Sequence, residues 1–274
     1  MAETGSREAL AERYGPAGAG LPVAWNEVLA GLLAHRSVRA YRPDPLPPGT
    51  LETLVAAAQS AASSSNLQTW SVVAVEDPAT KRRLSAVAGG QRHVVEAPLL
   101  LVWLADLSRL EAIGRRQERP TEGLAYLETL LVGLIDAALA AQNATVALES
   151  LGLSSVYIGA LRNDPVAVAE ALGLPPNVLA VFGHCVGYAD PARPASVKPR
   201  LPQSLVLHRE RYGAGADPAG VAAYDRTLKA FQEGQRLEPV GWTKAALDRV
   251  RGPEALSGRD RLRAALAQLG FGLR

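Results

Sequence analysis

Three short segments concentrate side chains suited to holding an anion: His35-Arg36-Ser37-Val38-Arg39, Gly90-Gln91-Arg92-His93 and Lys198-Pro199-Arg200. The first sets three cationic or potentially cationic groups and a hydroxyl at a helix-to-loop junction. The second follows a helix stop. In the third, the fixed φ of Pro199 spaces two cations so that both can face one anion. A phosphate dianion favours such charge-assisted donors, and pre-positioned ones spare conformational entropy. Each segment also has a plainer reading. Arg and Lys runs are commonly solvated surface, Gly89-Gly90 is a helix C-cap, and Ser63-Ser64-Ser65 is a polar turn ending a helix. Residue types and spacing lead as far as a phosphate-binding candidate.

The commoner catalytic frameworks are missing. No Gly-x-Gly-x-x-Gly follows a strand, no Gly-x-x-x-x-Gly-Lys-Ser/Thr loop occurs, and no serine sits in a Gly-x-Ser-x-Gly elbow. His35, His93, His184 and His208 are scattered without metal-ligand spacing, so no metal is expected. The lone Cys185 rules out an intrachain disulfide and fits a reducing cytoplasm. It lies in the apolar run 178–187 and reads as a buried structural thiol. An enzyme built this way would leave its chemistry to a cofactor.

The elements that must position these segments follow from the apolar period. A short helix is expected over Trp25–Ala34, and Pro43, Pro45, Pro47 and Pro48 then enforce an extended connector. Leu51, Leu54, Val55, Ala58 and Ala62 recur at helical spacing. Strands are expected over 70–75, 98–105, 156–159 and 178–188. Asp77-Pro78 and Asp164-Pro165 each open a helix with an N-cap and a proline at the first position. Residues 107–122 are charged and read as a mobile surface segment, and a long Ala/Leu helix follows from about 124 to 150. The pattern is α+β, one domain with helices covering a central sheet. Residues 1–24 read as a loosely ordered N-terminal extension, 25–212 as the core, and 213–274 as a C-terminal excursion with two modest helices, packing near the active site.

In 274 residues, 48% are apolar and 20% charged, the composition of an ordinary soluble globular protein. A net charge of +2 implies neither a nucleic-acid nor a membrane partner. The basic tail from Lys244 to Arg274 lacks the aromatic interleaving of a nucleic-acid surface. No signal peptide is visible. The stretch 129–148 is long enough to span a bilayer, but carries Asp136, Gln142 and Asn143 and reads as a helix buried in protein.

His35-Arg36-Ser37-Val38-Arg39, Ser63-Ser64-Ser65-Asn66-Leu67-Gln68 and Gly89-Gly90-Gln91-Arg92-His93-Val94 resemble the oxygen-insensitive NADPH nitroreductase and NADPH-flavin oxidoreductase family. So do Ala141-Gln142-Asn143-Ala144, Glu149-Ser150-Leu151-Gly152-Leu153, Val156-Tyr157-Ile158-Gly159 with Leu161-Arg162-Asn163, and Lys198-Pro199-Arg200-Leu201-Pro202. They occur in the family's order over about residues 28–212, and the likeness weakens beyond.

The resemblance implies a nitroreductase-like fold with a mostly antiparallel sheet, and a homodimer whose core includes the long helix. It implies FMN at the subunit interface, with NADPH or NADH as electron donor. His35, Arg36, Ser37 and Arg39 would form the first FMN-binding segment, and Lys198 and Arg200 would clamp the phosphate. Arg39 and Gln91 would meet the pyrimidine edge of the flavin, Ser63, Ser64 and Ser65 would reach FMN from the partner subunit, and Tyr157, Ile158 and Gly159 would supply a backbone platform. No side chain is catalytic; flavin N5 carries a ping-pong hydride transfer to nitroaromatics or quinones. Asn66 stands where relatives carry an apolar aromatic beside the substrate pocket. Arg236, between Glu233 and Glu238, occupies a shortened nicotinamide loop and leaves NADPH against NADH open. Arg259 corresponds to a pocket-lining arginine, or else is a surface helix residue. Two other functions share the same site: a flavin reductase that releases reduced FMN to a partner, and a flavin binder without catalysis.

Overall fold

The computed structural model describes residues 2–213 and 217–274; residue 1 of the N-terminal extension and residues 214–216 of the C-terminal excursion lie outside the described residues. The chain opens with α1 (Ala2–Tyr14) and α2 (Glu27–Ala34). α1 departs from the loosely ordered stretch expected over 1–24. It has no sustained apolar period, but Ala, Glu, Leu and Arg are strong helix formers, and the helix is held by the buried Leu10 and Arg13. α2 begins at Asn26, whose side chain accepts the Leu29 N–H at 2.9 Å.

There follow α3 (Thr50–Gln59), β1 (Trp70–Val75), α4 (Pro78–Val87), α5 (Arg92–Glu96) and β2 (Leu99–Asp106). Next comes α6 (Ser108–Arg116), where a mobile segment is expected. The helix forms for a local reason: Asp106 accepts from the Ser108 N–H at 3.1 Å and hydroxyl at 2.7 Å, and Glu111 pairs with Arg115 one turn on. The chain continues through α7 (Leu127–Ser150), β3 (Ser154–Ile158), α8 (Pro165–Leu172), β4 (Val178–Gly187), α9 (Pro218–Gly234), α10 (Trp242–Val250) and α11 (Leu262–Gln268). Among the described residues the C-terminal part thus carries three α-helices rather than two, and α9 runs 17 residues. Its start, Asp217-Pro218, repeats the design of α4 and α8, with the Asp217 side chain accepting the Ala219 N–H.

Contacts gather into two units, one of Met1–Arg36 with Ala195–Leu256 and one of Ser37–Pro194 with Ser257–Arg274. In the first, Tyr224 of α9 packs edge-on to Trp242 of α10 at 5.9 Å, and Asp225 accepts from the Thr243 N–H and hydroxyl.

The second unit holds a four-stranded sheet of order β1-β2-β4-β3, antiparallel throughout. β2 and β4 are its centre and are buried along nearly their whole length, which explains why they read as continuous apolar runs rather than alternating ones. The β2–β4 register slips between Trp103 and Leu104, leaving Val181 as the bulged residue of β4. Against one region of the sheet pack Leu54 and Ala58 of α3 and Ala140, Ala141, Ala144 and Leu148 of α7. A second cluster joins Leu130 and Ala137 of α7 to Leu179, Leu266 and Phe271. Gly133 lets α7 approach closely: a Cβ there would lie 3.1 Å from the Ala105 Cβ and 3.2 Å from the Thr69 carbonyl oxygen.

α7 is long and apolar enough to cross a membrane by composition, but half of that window is buried within the fold. The other side is exposed, with Leu127, Leu131, Ile135 and Leu139 at four-residue steps and 43–56% accessible. Cys185 is free and buried, and burial pushes its thiol up to about 12.

Candidate cofactor site

The first unit contributes two cationic segments. His35 is the C-cap residue of α2, and Arg36 next to it is exposed. Residues 196–200 alternate outward and inward: Val197 and Pro199 are buried, while Lys198 and Arg200 are exposed. In an extended segment that period of two puts both cations on one side. The Tyr224 hydroxyl donates to the Pro199 carbonyl at 2.9 Å and fixes the middle of the segment. Lys198 and Arg200 also border a cavity of about 670 Å³, whose apolar wall includes Leu228, Phe231 and Trp242. Arg236 is exposed on the turn after α9, with a left-handed φ of 57°, and its N–H donates to the Glu233 carbonyl.

The second unit carries the rest. Ser37 forms a parallel bridge with Ser155, and the Val38 N–H donates to the Ser155 carbonyl at 2.9 Å, so the first segment rides along the free edge of β3. Here too the sequence alternates: Val38 and Ala40 are buried, Ser37 and Arg39 exposed. Tyr41 locks the register by donating to the Val38 carbonyl at 2.7 Å. The Gly89-Gly90 turn, left-handed at both residues, delivers Gln91 to the start of α5. The Gln91 side-chain amide donates to the Ala88 carbonyl at 3.0 Å. His93, two residues on, is held below the ordinary histidine range by burial and then by the Arg39 charge, which brings Arg39 and the Gln91 turn into one neighbourhood.

The Ser63–Asn66 turn is built around a residue outside the motifs, Asp136. Asp136 of α7 is 1% exposed and accepts four hydrogen bonds: from the Ser63 hydroxyl, the Ser64 N–H, and the Thr69 N–H and hydroxyl. The Ser63 oxygen in turn accepts the Gln68 N–H at 2.8 Å. Ser63 is therefore engaged inside the turn, whereas Ser64, Ser65 and Asn66 face outward. The Asn66 side-chain oxygen accepts from Gln68 at 3.2 Å.

At the end of β3 the Tyr157 ring lies 4.4 Å from His184, nearly parallel, and its hydroxyl meets the Thr145 oxygen at 2.8 Å. Burial pushes the phenol up to about 12. Ile158 is buried and Tyr157 half-buried, and the strand turns directly into Gly159. A Cβ on Gly159 would come within 3.3 Å of the Arg162 guanidinium. Arg162 donates to the carbonyl of the bulged Val181 and is half-buried, which lowers its pKa through desolvation. Arg259 joins this corner, donating to the Asn163 side chain at 2.9 Å. The signal for Asp136 is an acid in the middle of a mostly apolar helix, and for Arg162 a cation four residues after a strand end.

A sequence model of the nitroreductase family matches residues 32–188, more than half of the chain, and a model of the family's C-terminal domain matches 198–274. The chain belongs to the nitroreductase family. Among nitroreductase relatives, an FMN reductase (NADPH) of Bacillus subtilis is 39% identical over 209 residues, spanning 75% of this chain and 83% of the relative. An oxygen-insensitive NADPH nitroreductase of Salmonella typhimurium is 40% identical over 200 residues, covering 73% and 80%. The solved structure of NfrA2 from B. megaterium superposes with a TM-score of 0.86 at 33% identity, covering 91% of this chain and all of that one. The nitroreductase fold, with its antiparallel sheet and long helix, is the one expected from the motifs.

Proposed function

We propose that this chain is an FMN-dependent oxidoreductase that passes reducing equivalents from NADPH or NADH to nitroaromatics and quinones, working as a cytoplasmic homodimer. The donor chemistry supports the fit to FMN. Lys198 and Arg200 offer two exposed cations on one side of a pinned extended segment, suited to a phosphate dianion. His35, Arg36, Ser37 and Arg39 add further donors, Ser64 and Ser65 present exposed hydroxyls, and Ser63 shapes their turn. The backbone of residues 157–159 would lie beside the flavin, where Gly159 has no Cβ to hold it away. Arg39, with Gln91, would place a cation and a donor at the pyrimidine edge and so favour the reduced, more anionic flavin. When bound, FMN supplies the hydride-accepting and hydride-donating chemistry, so the side chains need only bind, orient and tune. Asn66 would make the acceptor pocket more polar, Arg259 would line it, and Arg236 would meet the nicotinamide nucleotide.

The observation that carries this reading is the outward pairing of Lys198 with Arg200 in a chain of this family. The experiment is the anaerobic visible spectrum of FMN-reconstituted protein before and after NADPH, and separately NADH. Bleaching of a protein-bound flavin is expected. A protein that cannot retain FMN, or whose flavin neither nicotinamide bleaches, overturns it. A second reading, a flavin reductase that hands reduced FMN to a partner, is favoured by the likeness to the B. subtilis FMN reductase. Loss of FMN from the protein during turnover distinguishes it.

A further inference from the structure

Three segments of the first unit meet at Arg13. The residue sits in the last turn of α1 and is 5% exposed. One guanidinium nitrogen donates to the Lys198 carbonyl at 2.8 Å; the other donates to the Leu33 carbonyl at 2.7 Å and the His35 carbonyl at 2.6 Å. The connection is closed from the opposite direction, because the Arg200 N–H donates to the Arg13 carbonyl at 2.8 Å. Leu33 and His35 lie at the C-terminal end of α2, where helix carbonyls lack intrahelical partners and a cation is favoured. A guanidinium is the one side chain with enough rigidly arranged donors to serve carbonyls of two separate segments. Buried charge is costly unless fully bonded, so this arrangement holds only while both segments keep their positions.

Both segments are ones to which the proposed function gives phosphate contacts. The sequence match to the family begins at residue 32, downstream of α1. We infer that Arg13 is a positioning residue for the cofactor phosphate: α1 acts as a splint that sets His35-Arg36 against Lys198-Pro199-Arg200. The inference rests on the reading of Lys198 and Arg200 as phosphate donors. Arg13 itself need not touch the ligand, since its donors point to backbone carbonyls.

The test compares two flavins that differ only in the phosphate. Full-length apoprotein is titrated with FMN and with riboflavin, following flavin fluorescence, for the parent, Arg13→Ala, Arg13→Lys and the double variant Lys198→Ala with Arg200→Ala. Arg13→Ala is expected to raise the FMN Kd about ten- to a hundredfold, the range for residues that orient direct ligands, while riboflavin changes less than about twofold. Arg13→Lys keeps the charge but loses the planar fork, and should show a smaller loss with the same selectivity. It also carries the test if Arg13→Ala does not fold. The double variant should show the phosphate-selective loss as well. If it does and the folded Arg13 variants weaken both flavins equally, or neither, Arg13 is a structural fastener and the inference is overturned while the phosphate reading stands. If the double variant weakens FMN and riboflavin alike, the phosphate reading fails and the inference falls with it.

Discussion

The Asp136 carboxylate accepts the Ser63 hydroxyl at 2.9 Å, which ties α7 to the Ser63–Thr69 turn. The same carboxylate takes both donors of Thr69 and the Ser64 N–H. Asp136→Asn must turn its NH₂ group against either the Ser64 N–H or the Thr69 N–H, backbone donors on the two different carboxylate oxygens. We expect a loss of about 2–4 kcal/mol in denaturant unfolding. A loss below about 1 kcal/mol, within the range of ordinary surface substitutions, would show that the turn is held by other contacts.

Leu127, Leu131, Ile135 and Leu139 line the outer side of α7, an apolar strip of the kind that marks an interface. In a homodimer, Ile135→Lys places a charge in that contact and should shift the protein to monomer in light scattering at micromolar concentration. Because Ile135 is 56% exposed in the single chain, the monomer should remain folded, with a stability change within about 0.5 kcal/mol. A variant that elutes with the parent would place the dimer contact elsewhere.

Cys185, near the end of β4, has a thiol pushed up to about 12 by burial. At pH 8 the thiolate is a negligible fraction, and the side chain is also inaccessible. Folded protein should give no colour with a thiol-specific disulfide reagent over an hour at pH 8, and one equivalent after unfolding in guanidinium. Reaction of the folded protein at the rate of a free thiol would mean that β4 opens.

Gly133→Ala brings a methyl group 3.1 Å from the Ala105 Cβ. Alanine gains about 1 kcal/mol in helix propensity, yet the overpacking costs about 1–3 kcal/mol, so the net effect should be a lower Tm. Gly133→Val, with more bulk and a smaller propensity gain, should fall further. A raised Tm for alanine would indicate that α7 shifts outward at little cost.

Much of this arrangement was readable in the residues. β2 and β4 were visible as apolar runs because both faces of a central strand are covered, and α4 and α8 because an Asp-Pro pair marks a helix start. α6 was not, because its cap is a side chain on the preceding strand, Asp106, two residues before the helix. α1 was missed since it has no stripe for periodicity to detect; its anchoring relies on two side chains, Leu10 and Arg13. At the candidate site, Lys198 and Arg200 are legible as a pair because Pro199 holds the segment extended, whereas the alternation of Ser37 with Arg39 depends on Val38 docking against β3. Asp136 could not be paired with Ser63, 73 positions away, because nothing local in either segment specifies the other.

Ser65, Asn66 and Gln68 hold φ values of 50°, 53° and 51°, a region that glycine enters freely and other residues enter at a cost of about 1–3 kcal/mol each. Selection for heat resistance alone would drive these three positions toward glycine. Each step would discard a hydroxyl or amide that the turn now presents to its surroundings, so a screen for thermostability would improve the scaffold while stripping the turn of its polar groups.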